Sequence, residues 1–372
     1  GRSVQKKYVT RKNESMAFNI LIVNPKDKVT QIAVFDNFQL LYINNRRHTE
    51  EELKAFKTIY DQVEFRRDVV FRELQNNHFD ISQVKVVISR GGLIKPVHSG
   101  VYEVNEALRF DLLNSPIGID IINIGGLVAD AVAAQIDGAK ALIADPAVVD
   151  EMQDIARITG VPGVERKSIF HALNQKAVAK LYAESLKKNY HEMNLIVAHM
   201  GNGTTVGAHQ KGKVIDVNQG FEGDGPFSMI RCGSLPLSDI VRMCSEGKMA
   251  KEEILALLTH QGGINAHLGS TDITEIENRI KDGDRHAILI IEAMAYQVAK
   301  AIGEMFVALK GEVDAILLTG DLAHSEFVVN VIRKHVDRLG QVIIFPGDNE
   351  TQAMASNALR VIRGEIEISE YK

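Results

Sequence analysis

The chain holds 372 residues, too many for one ordinary core, and its 45% hydrophobic and 24% charged content is that of a soluble globular protein of two domains. A net charge of −5 argues against a nucleic-acid binder, whose contact face must supply Lys and Arg, but leaves room for a small anion held by local cations. No apolar run approaches the roughly 18 residues of a membrane helix, and no apolar N-terminal stretch marks a secretory signal.

Residues 1–15 are basic and polar, and residues 1–16 are expected to be a leader or tag outside the fold. Residues 19–25 (NILIVNP) form an apolar run ending in proline. A polar stretch, 26–28, separates it from the alternating residues 30–35, and residues 38–43 offer a third strand. The first domain is therefore expected to open with an antiparallel meander. Apolar runs at 84–89 and 141–144 end in SRGG and DP. The opening pattern returns at 194–217, as an apolar run, the glycine-rich turn MGNGTT and two strands around Lys211 and Gly212. This recurrence predicts two similar domains. Ile291, Ala295, Val298, Ile302, Met305 and Leu309 repeat at three and four residues, the apolar face of one long helix. Runs at 315–319 and 342–345 end in TGD and PGDNE, and in α/β sheets such loops beyond the carboxyl ends of strands gather ligands. No low-complexity linker separates the halves, and the boundary is drawn to give domains of 17–175 and 176–372. Cys232 and Cys244 match neither a zinc spacing nor a disulfide framework, and their scarcity suits a reducing cytoplasm.

Several motifs carry candidate chemistry, each with a plainer alternative. In HMGNG (199–203), alternate glycines let backbone N–H groups approach an anion and Asn202 adds an amide donor. Phosphoryl transfer needs such pre-aimed donors, although alone the segment reads better as a turn. In SRGGLIKP (89–96), Arg90 is placed to fork onto a carboxylate or phosphate, or else is a solvated surface residue. Arg231, in EGDGPFSMIRCGSLP, offers a second guanidinium. Asp145 in DPAVVDEM and Glu350 in GDNETQA either cap the helices that follow or jointly hold Mg²⁺, which needs only one or two protein carboxylates. His171 in RKSIFHALNQK is either a core residue or a donor to phosphoryl oxygens.

These segments, in this order, resemble the butyrate kinase branch of the acetate kinase family, within the sugar kinase–actin–Hsp70 superfamily. The likeness covers residues 19–364 and rests on the colinear blocks SRGGLIKPVHSGVYEV, DPAVVDEM, RKSIFHALNQK, NLIVAHMGNG, VIDVN, GDGPF, HLGSTD and MFVALKGEVDAILLTG. It implies an α/β fold of duplicated ribonuclease-H-like (actin-like ATPase) domains with an interdomain active-site cleft. It also implies reversible phosphoryl transfer from ATP to butanoate, or to a related short- or branched-chain acid, with Mg²⁺. The resemblance suggests a homodimer or larger homo-oligomer. By the same resemblance, Arg90, His171, Arg231 and Asp145 are catalytic, and Asp145 and Glu350 are metal-associated. Asn24, Thr30, Gly201, Asn202, Gly203, Gly269, Asp272 and Gly320 fall where the family meets the nucleotide.

The chain also departs from the family. Its first phosphate loop reads NPKDKVTQ (24–31) where the family has approximately NPGSTSTK, so Lys26, Asp27, Lys28, Val29 and Gln31 replace a glycine, hydroxyl donors and a lysine. Asp321 replaces the second glycine of TGDLAH, Asp120 stands where a histidine is usual, and Thr351 replaces an acid. These changes motivate a second expectation, a paralogue that binds nucleotide or acyl phosphate without turnover, as a partner subunit.

Overall fold

The computed structural model describes residues 16–247 and 249–372, so the leader expectation for residues 1–15 lies outside the described residues. Met16 belongs to the fold, because β1 (Met16–Ala17) pairs in parallel with β5 (Phe79–Asp80). Packing divides the chain into two compact units. The first comprises the described residues up to Ile94, Gly100–Ala144 and Met354–Lys372; the second comprises Lys95–Ser99 and Asp145–Ala353. The boundary expected at 175/176 falls inside the helix Ala172–Ser185 of the second unit.

The first unit is built on β2 (Ile20–Lys26), β3 (Val29–Asp36), β4 (Gln39–Arg47), β6 (Val86–Arg90), β7 (Val101–Glu103) and β8 (Lys140–Ala144). Their order across the sheet is β4-β3-β2-β6-β8-β7. The meander β2–β3–β4 is antiparallel, whereas β6 and β8 add in parallel. Consecutive residues of β2 and β6 are buried, as expected of strands covered on both faces. Helices Val63–Asn76 and Gly125–Ala133 pack on each other and on this sheet. The C-terminal segment returns to the same unit: Tyr371 donates its hydroxyl to Asp111 at 2.6 Å, and its carbonyl accepts the Asn105 amide at 2.9 Å.

The second unit repeats the plan with β9 (Asn194–Met200), β10 (Thr204–Gln210), β11 (Lys213–Val217), β12 (Ala315–Gly320) and β13 (Val342–Pro346). The order is β11-β10-β9-β12-β13, again an antiparallel meander extended by two parallel strands. Strand alternation splits the core in two. Ile196 and Ala198 of β9 face the long helix Arg285–Ala308, whose predicted stripe of Ile291, Ala295, Val298, Ile302 and Met305 is buried. Leu195 and Val197 face Val178 and Tyr182 of the helix Ala172–Ser185. The shared strand order is the duplication that the recurring strand–loop–strand pattern anticipates.

Candidate active site

In the first unit, NPKDKVTQ folds as a tight hairpin. Asn24, Pro25 and Lys26 pair with Gln31, Thr30 and Val29, leaving only Asp27 and Lys28 for the turn, so the polar loop expected over 26–28 is shorter and Pro25 lies within the strand. Arg66 holds this hairpin. Fully buried, it donates to the carbonyls of Val29 (2.8 Å) and Asp27 (3.0 Å), to Thr30 Oγ1 (3.1 Å), and twice to Gln62 Oε1 (3.1 and 2.9 Å). Its five N–H donors are thereby satisfied. Burial pulls its pKa down to about 10, which leaves it charged at neutral pH. Thr30 is fully buried, and its hydroxyl lies 2.8 Å from His48 Nε2 as well as against Arg66; its contacts are those of a structural anchor. Asn24 is also fully buried, with its amide 3.4 Å from Gln31 Oε1 and its own Oδ1 without a hydrogen-bond partner among the described residues. Arg90, at the end of β6, donates to the Pro25 carbonyl at 3.0 Å, tying that guanidinium to the hairpin. Asp120 caps a short 3₁₀ turn by accepting from Ile122 N–H at 3.0 Å.

In the second unit, Gly201, Asn202 and Gly203 make the turn from β9 to β10, closed by Gly201 N–H on the Gly203 carbonyl at 2.9 Å. The turn's carbonyls point into the protein: Gly201 accepts from Met229 N–H, and Asn202 accepts from Ile230 N–H and the Ser228 hydroxyl. The Asn202 side chain is exposed. Arg231 packs directly against this turn, for a Cβ on Gly203 would fall 2.3 Å from its Nη1. The guanidinium donates to the carbonyls of Gly220 and Thr259 and lies 5.3 Å from the Phe221 ring centre.

His171 is the residue before the helix Ala172–Ser185. Its ring stacks on His199 at 3.7 Å and 8°, and its Nδ1 is 2.8 Å from Thr205 Oγ1. Asn174, one helical turn on, reaches His199 Nδ1 (2.8 Å) and Thr319 Oγ1 (3.1 Å), while its Oδ1 accepts from Asn349 N–H (2.8 Å). Thr319 in turn donates to the Gly347 carbonyl at 3.0 Å. Gly320 exchanges backbone hydrogen bonds with Gly347 and adopts φ +88°, a left-handed conformation beside the Met200 carbonyl. The ends of β9, β12 and β13 are thus stitched to the start of the helix that follows His171. Glu350, next to Asn349, is a buried carboxylate at the start of the helix Glu350–Ile362.

Asp145 follows β8, is buried, adopts φ +37° and accepts from the Ser99 hydroxyl at 2.6 Å. A left-handed conformation is uncommon for a residue with a side chain and is tolerated best by Asn and Asp. Among the described residues no group of three or more His, Cys, Asp and Glu forms a ready-made metal cage. Mg²⁺ asks for less, typically one or two carboxylates beside water and phosphate, and the buried hard oxygens of Asp145 and Glu350 suit it. Gly269 and Asp272 have local tasks: Gly269 closes the helix Gly263–Leu268 at φ +70°, and Asp272 caps Ile273–Lys281 through Thr274 and Glu275 N–H. Asp321 opens the 3₁₀ turn Asp321–His324 and is exposed.

Sequence reading alone missed Arg66, Thr205 and also Gln175, whose Nε2 donates to Thr205 Oγ1 at 2.9 Å. Arg66 had one available signal: it sits three and four residues before the buried Val69 and Val70, a charge on the apolar stripe of its helix.

A family model described as the Acetokinase family matches residues 154–364. Over 357 residues the chain is 44% identical to Butyrate kinase 2 of Clostridium acetobutylicum, an alignment spanning 96% of this chain and 100% of that relative. Among solved structures it is similar to the acetate kinase of Porphyromonas gingivalis (TM-score 0.74, 17% identity, covering 93% of this chain and 100% of that one). It is also similar to a propionate kinase of Francisella tularensis (TM-score 0.73, 17% identity, 92% and 99% covered). At such identity these structures speak for the fold, the duplicated actin-like ATPase architecture.

Proposed function

The chain belongs to the Acetokinase family, and from that membership we propose that it is a butyrate kinase, transferring the γ-phosphoryl group of ATP reversibly to butanoate. The observation that carries this reading is 44% identity to a butyrate kinase along nearly the whole length. A fatty-acid carboxylate is already ionised at neutral pH, so its oxygen attacks the γ-phosphorus without a general base. The new O–P bond forms as the bond to the β-phosphate oxygen breaks, giving butanoyl phosphate and ADP. Catalysis then rests on positioning and charge. We assign Arg231 and His171 as donors to the equatorial phosphoryl oxygens. The Gly201–Gly203 turn supplies phosphate donors and Gly320 lets the nucleotide approach closely. Arg90 holds the acid. Asp145 and Glu350 would hold Mg²⁺, which when bound offsets phosphate charge.

We further infer a reducing, cytoplasmic setting, in keeping with the two free thiols Cys232 and Cys244, and a homo-oligomer. The exposed apolar residues Ile155, Ile158, Val161 and Val164 supply a candidate face for self-association.

The test is hydroxamate trapping of acyl phosphate from ATP, Mg²⁺ and a panel of short-chain acids. Butanoyl hydroxamate is expected, with Arg90→Ala and Arg231→Ala each slower by about a hundredfold or more, the scale of losing one transition-state donor. Absence of trapped product with every acid of the panel overturns the assignment.

A further inference from the structure

Behind His171 runs a continuous line of buried polar groups that the phosphoryl-transfer reading does not use. Tyr190 Oη lies 2.6 Å from His209 Nδ1, and His209 Nε2 lies 2.9 Å from Gln175 Oε1. Gln175 Nε2 donates to the Thr205 carbonyl (3.1 Å) and to Thr205 Oγ1 (2.9 Å), and Thr205 Oγ1 lies 2.8 Å from His171 Nδ1. Tyr190, His209, Gln175 and Thr205 are all buried.

The direction of every bond in this line follows from groups whose role is fixed. A carbonyl only accepts, so the Gln175 nitrogen must face Thr205 and its oxygen must face His209. His209 therefore carries its hydrogen on Nε2. Burial and the nearby Lys176 ammonium push the His209 pKa down to about 3, so the ring is neutral, Nδ1 accepts, and Tyr190 donates to it. Lys176 is itself neutralised by Glu151 at 2.7 Å. At the other end, Thr205 Oγ1 accepts from Gln175 Nε2 and from the His171 backbone N–H (3.4 Å). With both lone pairs engaged, its hydroxyl hydrogen is left for His171 Nδ1.

We propose that the line Tyr190–His209–Gln175–Thr205 is a positioning device that fixes His171 as its Nε2–H tautomer, presenting a neutral hydrogen-bond donor. The stacked His199 is set the same way. Asn349 N–H fixes Asn174 Oδ1 as an acceptor, so Asn174 Nδ2 donates to His199 Nδ1. The catalytic benefit claimed for the device rests on the butyrate kinase reading above; the tautomer does not.

The decisive experiment is long-range ¹H–¹⁵N NMR of the full chain carrying ¹⁵N-labelled histidine, with the His171 ring assigned by its loss in His171→Gln. In the native protein His171 shows the Nε2–H pattern. Gln175→Glu puts a carboxylate where the amide donor stood. Thr205 then donates to that carboxylate, and the His171 pattern switches to hydrogen on Nδ1. A folded Gln175→Glu protein in which His171 keeps the Nε2–H pattern overturns the proposal. Should that variant fail to fold, Thr205→Val and Thr205→Ser decide. The valine protein is expected to lose the single Nε2–H pattern and roughly tenfold or more in kcat with KM for ATP nearly unchanged, and the serine protein to restore both. Equal behaviour of the two refutes the device. If native protein forms no acyl phosphate, the kinase reading fails while the NMR patterns still decide the tautomer.

Discussion

Two glycines of the proposed site separate a catalytic effect from a structural one. A Cβ at Gly203 meets the far end of the Arg231 side chain, which can swing away, whereas a Cβ at Gly320 falls 2.3 Å from the Met200 carbonyl oxygen at φ +88°. Gly203→Ala is expected to keep its melting temperature and lose turnover through a displaced Arg231. Gly320→Ala should lose about 2 kcal/mol or more of stability, because backbone must move and the left-handed conformation penalises alanine. Denaturant melts and hydroxamate assays on both variants check the contrast; equal stabilities would contradict it. The buried His209 gives the pH dependence. Its folded pKa of about 3 lies below the ordinary histidine value, so the unfolded chain binds the extra proton first and stability falls as pH drops through the range between them. From about pH 7 to about pH 5 this one group removes about 2 kcal/mol. His48, pulled down to about 4 chiefly by burial, acts with the same sign. Urea melts across that range should show a steep acid loss that is shallower in His209→Gln; an unchanged slope would remove His209 from the account.

At the scale of elements, the hairpin β2–β3 depends on a helix distant in sequence. Arg66→Met leaves the carbonyls of Asp27 and Val29 and the Gln62 side chain without their donor, at a cost of about 3 kcal/mol. Arg66→Lys keeps a charge but cannot reproduce the planar fork, so it too should melt early and raise KM for the acid that the hairpin-tied Arg90 is proposed to hold. A lysine variant with native stability and KM would show that the fork is dispensable. Most strands were legible in the amino-acid order. Buried runs such as 194–199 and 315–319 announce themselves by unbroken apolar character and coincide with β9 and β12. Pro25 misleads because proline usually ends a strand, yet β6 pairs only with Ile20–Ile22 of β2, so at Pro25 that flank demands no N–H. Arg90, His171, Asn202 and Arg231 could be singled out because their blocks are distinctive, and their roles are those proposed above. The support behind them was not: Thr205 meets His171 across 34 residues and Val29 meets Arg66 across 37, and no local pattern encodes such encounters.

For the molecule as a whole, the division into units does not follow the chain. The first unit is closed by the last residues, through the Tyr371 contacts and the bridge between Tyr102 and Ser369. A fragment of residues 16–144 should therefore be poorly folded, and adding residues 354–372 through a flexible linker should restore sharp thermal unfolding. If the shorter fragment melts cooperatively alone, the closing role of the tail is disproved. The second unit, by contrast, is complete once Ala353 has been made. During translation the part of the protein that leaves the ribosome first is thus the part that must wait. Its surface stays unfinished until residues 354–372 have also emerged. Slow synthesis anywhere between residues 145 and 372 would lengthen that exposure, because all of this stretch separates the body of the first unit from the segment that closes it.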